Sequence, residues 1–196
     1  MTTIVVGGHS RKIGKTSVVA GLIAAFPNHP WTAAKISPHW HTDSFGSSGE
    51  EKGEICIHEE SDRAGNTDTS RYLAAGAMRS IWVRVDENRF ETAMQKLLRI
   101  LRSNPYLIVE SNSILRFIQP DLTVMILKPG VGEFKESARE MLLRADAVVA
   151  INYHPSSVLW KGISHETLAR APLFVTNDVQ ILPKEFINFV QARLNL

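Results

Sequence analysis

The chain has 196 residues, 44% hydrophobic and 21% charged, with a net charge of +2 and a sequence pI of about 8.8. Those values fit one globular domain with a full core and give no reason to expect a nucleic-acid partner. The single cysteine, Cys56, excludes an internal disulfide framework, no apolar run is long enough to span a bilayer, and the chain opens directly on a core strand, so a cytoplasmic protein with no membrane partner is expected.

The apolar β-branched run Ile4-Val5-Val6 reads as a buried strand, broken by Gly7-Gly8, and Thr16 to Ala25 reads as a helix. The stretch between them ends in Gly14-Lys15-Thr16, the tail of a Walker A motif in the strand–loop–helix setting that motif requires. A loop of this kind turns successive backbone N–H groups onto phosphate oxygens at the positive end of a helix. The expected nucleotide-binding residues are therefore Gly8, His9, Ser10, Arg11, Lys12, Ile13, Gly14, Lys15, Thr16 and Ser17. Lys15 is the expected catalytic cation on the β and γ phosphates, and the Thr16 hydroxyl the expected Mg²⁺ ligand. One spacing departs from the usual motif. His9 stands where the first glycine belongs and the preceding glycine is Gly8, so the loop reads G-x5-G-K-T. Ser10, Arg11 and Lys12 fill its centre and add cationic density that can face a γ phosphate or a partner's phosphate.

A second strand, Trp31 to Ile36, carries Lys35 near its end. Residues 38–66 read as a long polar insertion with His39, His41, Cys56, His58 and an acidic patch from Glu50 to Glu60. A short helix is expected from Asp68, acting as its cap, to Ala75, with Gly76 ending it. Ser80 to Val85 follows as a strand, Asn88 to Leu101 as an amphipathic helix, and Tyr106 to Val109 as a strand ending at Glu110. Ser113 to Ile118 adds a helical turn. Leu122 to Leu127 and Ala147 to Ile151 are further strands flanking a helix over 134–143. A short helix over 164–170, the strand Leu173 to Thr176 and a helix from Lys184 complete the chain. Apolar strands alternating with helices predict a single α/β domain over residues 1–196: a mostly parallel sheet of about seven strands with helices on both faces, the P-loop NTPase arrangement. Ligands then bind at the strand C-termini, where Gly8, Lys35, Glu110, Asn152 and Asn177 fall.

Glu110 stands where a P-loop protein needs a carboxylate to hold Mg²⁺ or polarise water, so it is the second expected catalytic and metal-binding residue. Lys35, Asp68, Arg71 and Asn112 are candidates for substrate or partner contacts, and Asn152 and Asn177 for the base. Either ATP or GTP fits these side chains, since the guanine signature Asn-Lys-x-Asp is absent. His39, His41, Cys56 and His58 form a candidate Zn²⁺ set, against the alternative of solvated loop histidines.

The phosphate loop, the lysine-ended second strand with His39 and His41 nearby, and Asp68-Thr69-Ser70-Arg71-Tyr72-Leu73-Ala74-Ala75-Gly76-Ala77 before the third strand resemble the MobB family, the molybdopterin-guanine dinucleotide biosynthesis adaptor proteins. The resemblance covers residues 1 to about 130 and is most discriminating over Asp68 to Ala77. It implies a homodimeric, Mg²⁺-dependent GTP-binding protein with weak GTPase activity that assists a molybdopterin guanylyltransferase. Gly14, Lys15 and Thr16 then match the phosphate loop, Glu110 the acidic residue, and Asp68 and Arg71 the middle motif. His9, Ser111 in place of a glycine, and the long insertion depart from the family's pattern. The G-x5-G-K-T spacing, Lys35 and Glu110 are also similar to dethiobiotin synthetase, which implies an ATP-dependent small-molecule ligase or kinase. A metal-binding regulator with a nucleotide-binding loop is the third reading.

Overall fold

The computed structural model describes residues 1–37, 55–85, 89–101 and 103–196. The strands are β1 (Thr2–Gly8), β2 (Trp31–Ser37), β3 (Cys56–Glu59), β4 (Arg79–Arg84), β5 (Tyr106–Glu110), β6 (Leu122–Leu127), β7 (Ala147–Ile151) and β8 (Leu173–Thr176). The helices are α1 (Lys15–Ala25), α2 (Asp68–Ala74), α3 (Phe90–Leu101), α4 (Glu136–Leu142), α5 (His165–Leu168) and α6 (Lys184–Leu194), with a 3-10 turn at Ser113–Arg116.

Strands this apolar persist because both of their faces are covered. In β1, Ile4 and Val6 belong to one buried cluster and Val5 to the other, as a side-chain period of two requires. Helices α1, α2 and α6 close the first face with Val18, Leu22, Tyr72 and Phe186. Helices α3, α4 and α5 close the second with Met94, Leu97, Met141 and Leu168. The helix α3 does this with one stripe only, Ala93, Met94, Leu97 and Leu101, leaving Glu91 and Arg99 in water.

The sheet order is β3-β4-β2-β5-β1-β6-β7-β8, parallel throughout except where β3 runs antiparallel to β4. This is the α/β architecture expected, with eight strands among the described residues rather than about seven. The added strand is β3, inside the stretch that reads as an insertion; Cys56 pairs with Arg84 and Glu59 with Ile81. After β1 the chain moves to β2 and β4 on one side, and after β5 it crosses to β6, β7 and β8 on the other. The β1–α1 loop thus lies where the winding reverses, which is where open α/β sheets form a ligand crevice.

Two local expectations change. Thr67, not Asp68, caps α2: its side chain accepts from the Ser70 N–H, leaving the Asp68 carboxylate for another partner. Glu60, from the acidic patch, is a structural acceptor, taking bonds from Thr67 Oγ1 at 3.0 Å and Thr69 Oγ1 at 3.1 Å. Among the described residues no helix is long and apolar enough to cross a membrane.

Candidate functional site

The β1–α1 loop begins with a clasp. Asn112, just past β5, accepts from the Gly8 N–H at 2.9 Å and donates to the Gly8 carbonyl at 3.0 Å, so one amide holds both polar groups of that residue. The loop ends at Gly14, the cap residue of α1, with φ at +95°. A methyl group there would lie 2.3 Å from Val179 Cγ2, so the position requires glycine both for its left-handed backbone and for the close approach of the β8–α6 connection. Lys15 Nζ folds back onto the Ser10 carbonyl at 2.5 Å. Burial holds its ammonium below the usual lysine range; Lys35 and Lys135 pull the same way and Glu110 pulls against them.

A network converges on Glu110, the last residue of β5, which is 5% exposed. Its Oε2 accepts from Thr16 Oγ1 at 2.8 Å and from the buried Tyr72 hydroxyl, and its Oε1 accepts from Lys35 Nζ at 2.9 Å. Lys35 is shared with Asp68, whose Oδ2 lies at 2.5 Å. Burial alone would lower the Lys35 pKa, but its two carboxylate neighbours outweigh that and raise it. For Asp68 the same contest ends below the usual carboxylate range, because Lys35 outweighs desolvation. Burial drives the Tyr72 phenol well above its ordinary value and the Glu110 charge adds to that, so the hydroxyl remains a donor.

Apart from Tyr72, which is fully buried, these groups line a cleft of about 560 Å³ at the C-terminal edge of the sheet. Of the expected nucleotide-binding residues, Gly8, Ser10, Arg11, Lys12, Gly14, Lys15, Thr16 and Ser17 line it. So do Lys35, Asp68, Arg71, Glu110 and Asn112. Arg71 donates to Ser17 Oγ at 2.9 Å, fastening α2 to the first turn of α1. Six cationic side chains, Arg11, Lys12, Lys15, Lys35, Arg71 and Lys135, face two carboxylates, Asp68 and Glu110, which suits a polyanionic ligand.

Four expected residues lie elsewhere. His9 has no exposed surface: it packs against the rings of Phe134 and Trp160, with centroids 5.7 and 4.3 Å away, and its side chain is core rather than cleft. Ile13 is likewise core, 2% exposed. Asn152 and Asn177 follow β7 and β8, the second and third strands from β1, and neither lines the cleft. At a strand spacing of about 4.8 Å those ends stand about 10 and 14 Å to the side of β1. Cys56 and His58 share one face of β3, the outermost strand on that side among the described residues, whereas His39 and His41 lie outside those residues. Among the described residues no group of three or more His, Cys, Asp or Glu is placed to hold a metal ion.

Tyr72 and Lys135 belong to the site without a sequence signal of their own. Tyr72 reads as one more apolar position of the Asp68 to Ala77 segment, and Lys135 as one more charge in the helix expected over 134–143, which begins only at Glu136.

The parallel sheet, the Gly-Lys-Thr loop entering α1 and the carboxylate on the neighbouring strand define a P-loop NTPase fold. No protein-family model and no curated protein matches the chain. Solved structures do. HypB from Helicobacter pylori in complex with nickel is 18% identical, with 99% of this chain and 87% of that one covered at a TM-score of 0.53, and this likeness shows the fold. LpxK from Aquifex aeolicus in complex with ATP is 19% identical over 89% of this chain, at a TM-score of 0.48, and the chain spans only 53% of that structure's length. Bacillus subtilis MobB is 15% identical, with 99% of this chain and 98% of that one covered at a TM-score of 0.43.

Proposed function

We propose that the cleft binds the phosphates of a purine nucleoside triphosphate together with Mg²⁺ and hydrolyses it slowly. The observation that carries this reading is the meeting of Thr16 Oγ1 and Glu110 Oε2 at 2.8 Å beside Lys15. Ninety-four residues apart in the chain, they offer two oxygen donors at one point, the donor type a hard divalent cation takes. Thr16 and Glu110 would hold Mg²⁺, and the ion would supply positive charge against that of the phosphates.

The chain's own residues do the rest. Lys15 leaves the Ser10 carbonyl for the β and γ phosphates and stabilises charge as it develops there. The N–H groups of residues 10–16 cradle the phosphates, and Gly14 gives the turn that aims them. Water attacks the γ phosphorus, the bond to the β–γ bridging oxygen breaks with its electron pair staying on the departing nucleoside diphosphate, and the water's proton passes to an oxygen of the phosphate released. Ser111 and Asn112 border the space that water enters.

GTP as the preferred nucleotide, a homodimer, and service to a molybdopterin guanylyltransferase in molybdenum-cofactor maturation complete the proposal. They rest on the resemblance of Asp68 to Ala77 to the MobB family. Asp68 and Arg71 of that segment line the cleft, one paired with Lys35 and the other with Ser17, so the motif stands beside the phosphate loop.

A second reading, an ATP-dependent ligase or kinase, draws on Ser37, Ser111 and Ser113, whose presence in the cleft lining adds hydroxyl groups to which an acceptor could hydrogen-bond. Calorimetric titration with Mg²⁺ and either ATP or GTP tests the site. Lys15→Ala is expected to weaken binding about 100-fold, the equivalent of two charge-assisted hydrogen bonds at about 1.5 kcal/mol each. Unchanged affinity would overturn the assignment. Hydrolysis of ATP only with an added carboxylate or amine acceptor would favour the ligase reading over the adaptor.

A further inference from the structure

The connection between β6 and α4, residues 128–135, is pinned onto the β1–α1 loop at several points. His9 Nε2 donates to the Val131 carbonyl at 2.8 Å; because a carbonyl only accepts, the ring carries its proton on Nε2. The Lys135 N–H donates to the His9 carbonyl at 3.4 Å. Gly132, at φ +61°, lies so close to the loop that a methyl there would stand 2.3 Å from Ser10 Oγ. Trp160 donates through Nε1 to the Gly132 carbonyl at 3.1 Å, and its ring, with those of Phe134 and His9, forms one aromatic cluster that ties the connection to the loop. The residue at the missing glycine's position is thus an anchor that fastens a second loop against the first.

That fastening brings Lys135 to the cleft wall. Its side chain is exposed and makes no ion pair or hydrogen bond among the described residues, yet it lines the same cleft as Lys15 and Thr16. Every other cation there is committed to the cleft's own frame or rides on the β1–α1 loop. Lys35 is held by two carboxylates and Arg71 by Ser17, while Arg11 and Lys12 belong to the loop and Lys15 is the first residue of α1. The loop itself encloses the α and β phosphates, so only a γ phosphate projects past it toward another element.

We propose that Lys135 is a phosphate-binding residue that contacts the terminal phosphate of a nucleoside triphosphate and so discriminates triphosphate from diphosphate. This rests on the nucleotide reading of the cleft. Lys135 reaches the γ oxygens from the β6–α4 connection, as a point charge on a flexible stem, while Lys15 holds the β–γ edge from below. Its charge is near enough to Lys15 to lower that group's proton affinity, behind the larger effect of burial, so the two ammonium groups share one electrostatic site that an anion relieves. A diphosphate leaves Lys135 without a partner.

The test compares Mg²⁺ complexes of ADP and of a non-hydrolysable ATP analogue, with the guanine pair alongside, on wild type, Lys135→Ala and Lys135→Arg. Thermal melts of both variants check that the exposed substitutions leave the fold intact. Lys135→Ala is expected to lose about tenfold in triphosphate affinity, one charge-assisted contact, with diphosphate affinity within about twofold. Lys135→Arg is expected to keep most of the selectivity. Equal losses for both nucleotides, or no loss for either, would overturn the role of Lys135 while leaving the P-loop site standing. Absence of binding by wild type would overturn the nucleotide reading and this inference with it.

Discussion

Replacing Tyr72 by Phe removes one oxygen and nothing else. The ring has no exposed surface and packs in the cluster between the sheet and helices α1, α2 and α6, so Phe keeps its contacts. What disappears is the donor to Glu110 Oε2. A hydrogen bond to a charged acceptor is worth about 1.5–3 kcal/mol. Glu110 retains Thr16 at 2.8 Å and Lys35 at 2.9 Å, so the loss falls at the lower end, about 1.5 kcal/mol. In a chain of this size that corresponds to a fall in Tm of about 3–6 °C. Urea and thermal denaturation followed by circular dichroism, without nucleotide or Mg²⁺, read the effect directly. A Tm within about 1 °C of wild type would refute the reasoning, since the phenol would then not be holding the carboxylate. A loss beyond about 4 kcal/mol would refute it from the other side, because that size belongs to lost packing, which Phe preserves.

Gly14→Ala combines a left-handed backbone with a clash at Val179, so destabilisation of about 2–4 kcal/mol is expected. Adding Val179→Ala should recover the steric part and leave the backbone part, and a double-mutant cycle on denaturation midpoints with no coupling would refute the clash. His9 is neutral in the fold because burial lowers its pKa from an ordinary 6.5, with the carbonyl contacts at Val131 and Ile126 acting the other way. Below pH 6.5 the unfolded chain takes up a proton that the folded His9 refuses. Its contribution to stability is therefore full above that pH and is lost as pH falls through the lower folded value. Melting between pH 7.5 and 5.5, above the range where Asp68 and Glu60 titrate, should show a decline that His9→Gln reduces; equal slopes would exclude His9 as the source.

The fold was legible wherever burial makes composition and geometry coincide. Strands such as Leu107-Ile108-Val109 and Ala147 to Ile151 are apolar at every position because both faces are covered, and no solvated segment looks like that. β3 escaped for the opposite reason. Cys-Ile-His-Glu is short, half exposed and antiparallel at an edge, so it carries neither an apolar run nor a turn of its own. For the cleft, each residue's position along its strand was readable but the lateral order of strands was not. Lys35 and Glu110 stand beside Gly8 because β5 and β2 flank β1 on one side. Asn152 and Asn177 end strands just as visibly, two and three places away on the other. His9 shows a further limit: a residue inside a recognisable loop motif is read as a ligand contact, while its ring is spent on packing against Phe134 and Trp160. Tyr72 reaches Glu110 only because α2 packs on α1, a contact between segments about fifty residues apart that leaves no local trace.

Among the described residues the two outermost strands, β3 and β8, are the shortest of the eight, four residues each. A sheet edge recruits other chains through its row of unpaired N–H and C=O groups, and a four-residue strand offers about two of each on its outer side. On the β3 side Glu59 adds a charge, held by Arg79 at 2.8 Å. Such edges are poor templates for strand addition, which guards the protein against runaway sheet-to-sheet aggregation during synthesis and storage. The same property constrains assembly: a pair of these chains joined through helix faces or around the cleft is favoured over one continuous sheet joined edge to edge.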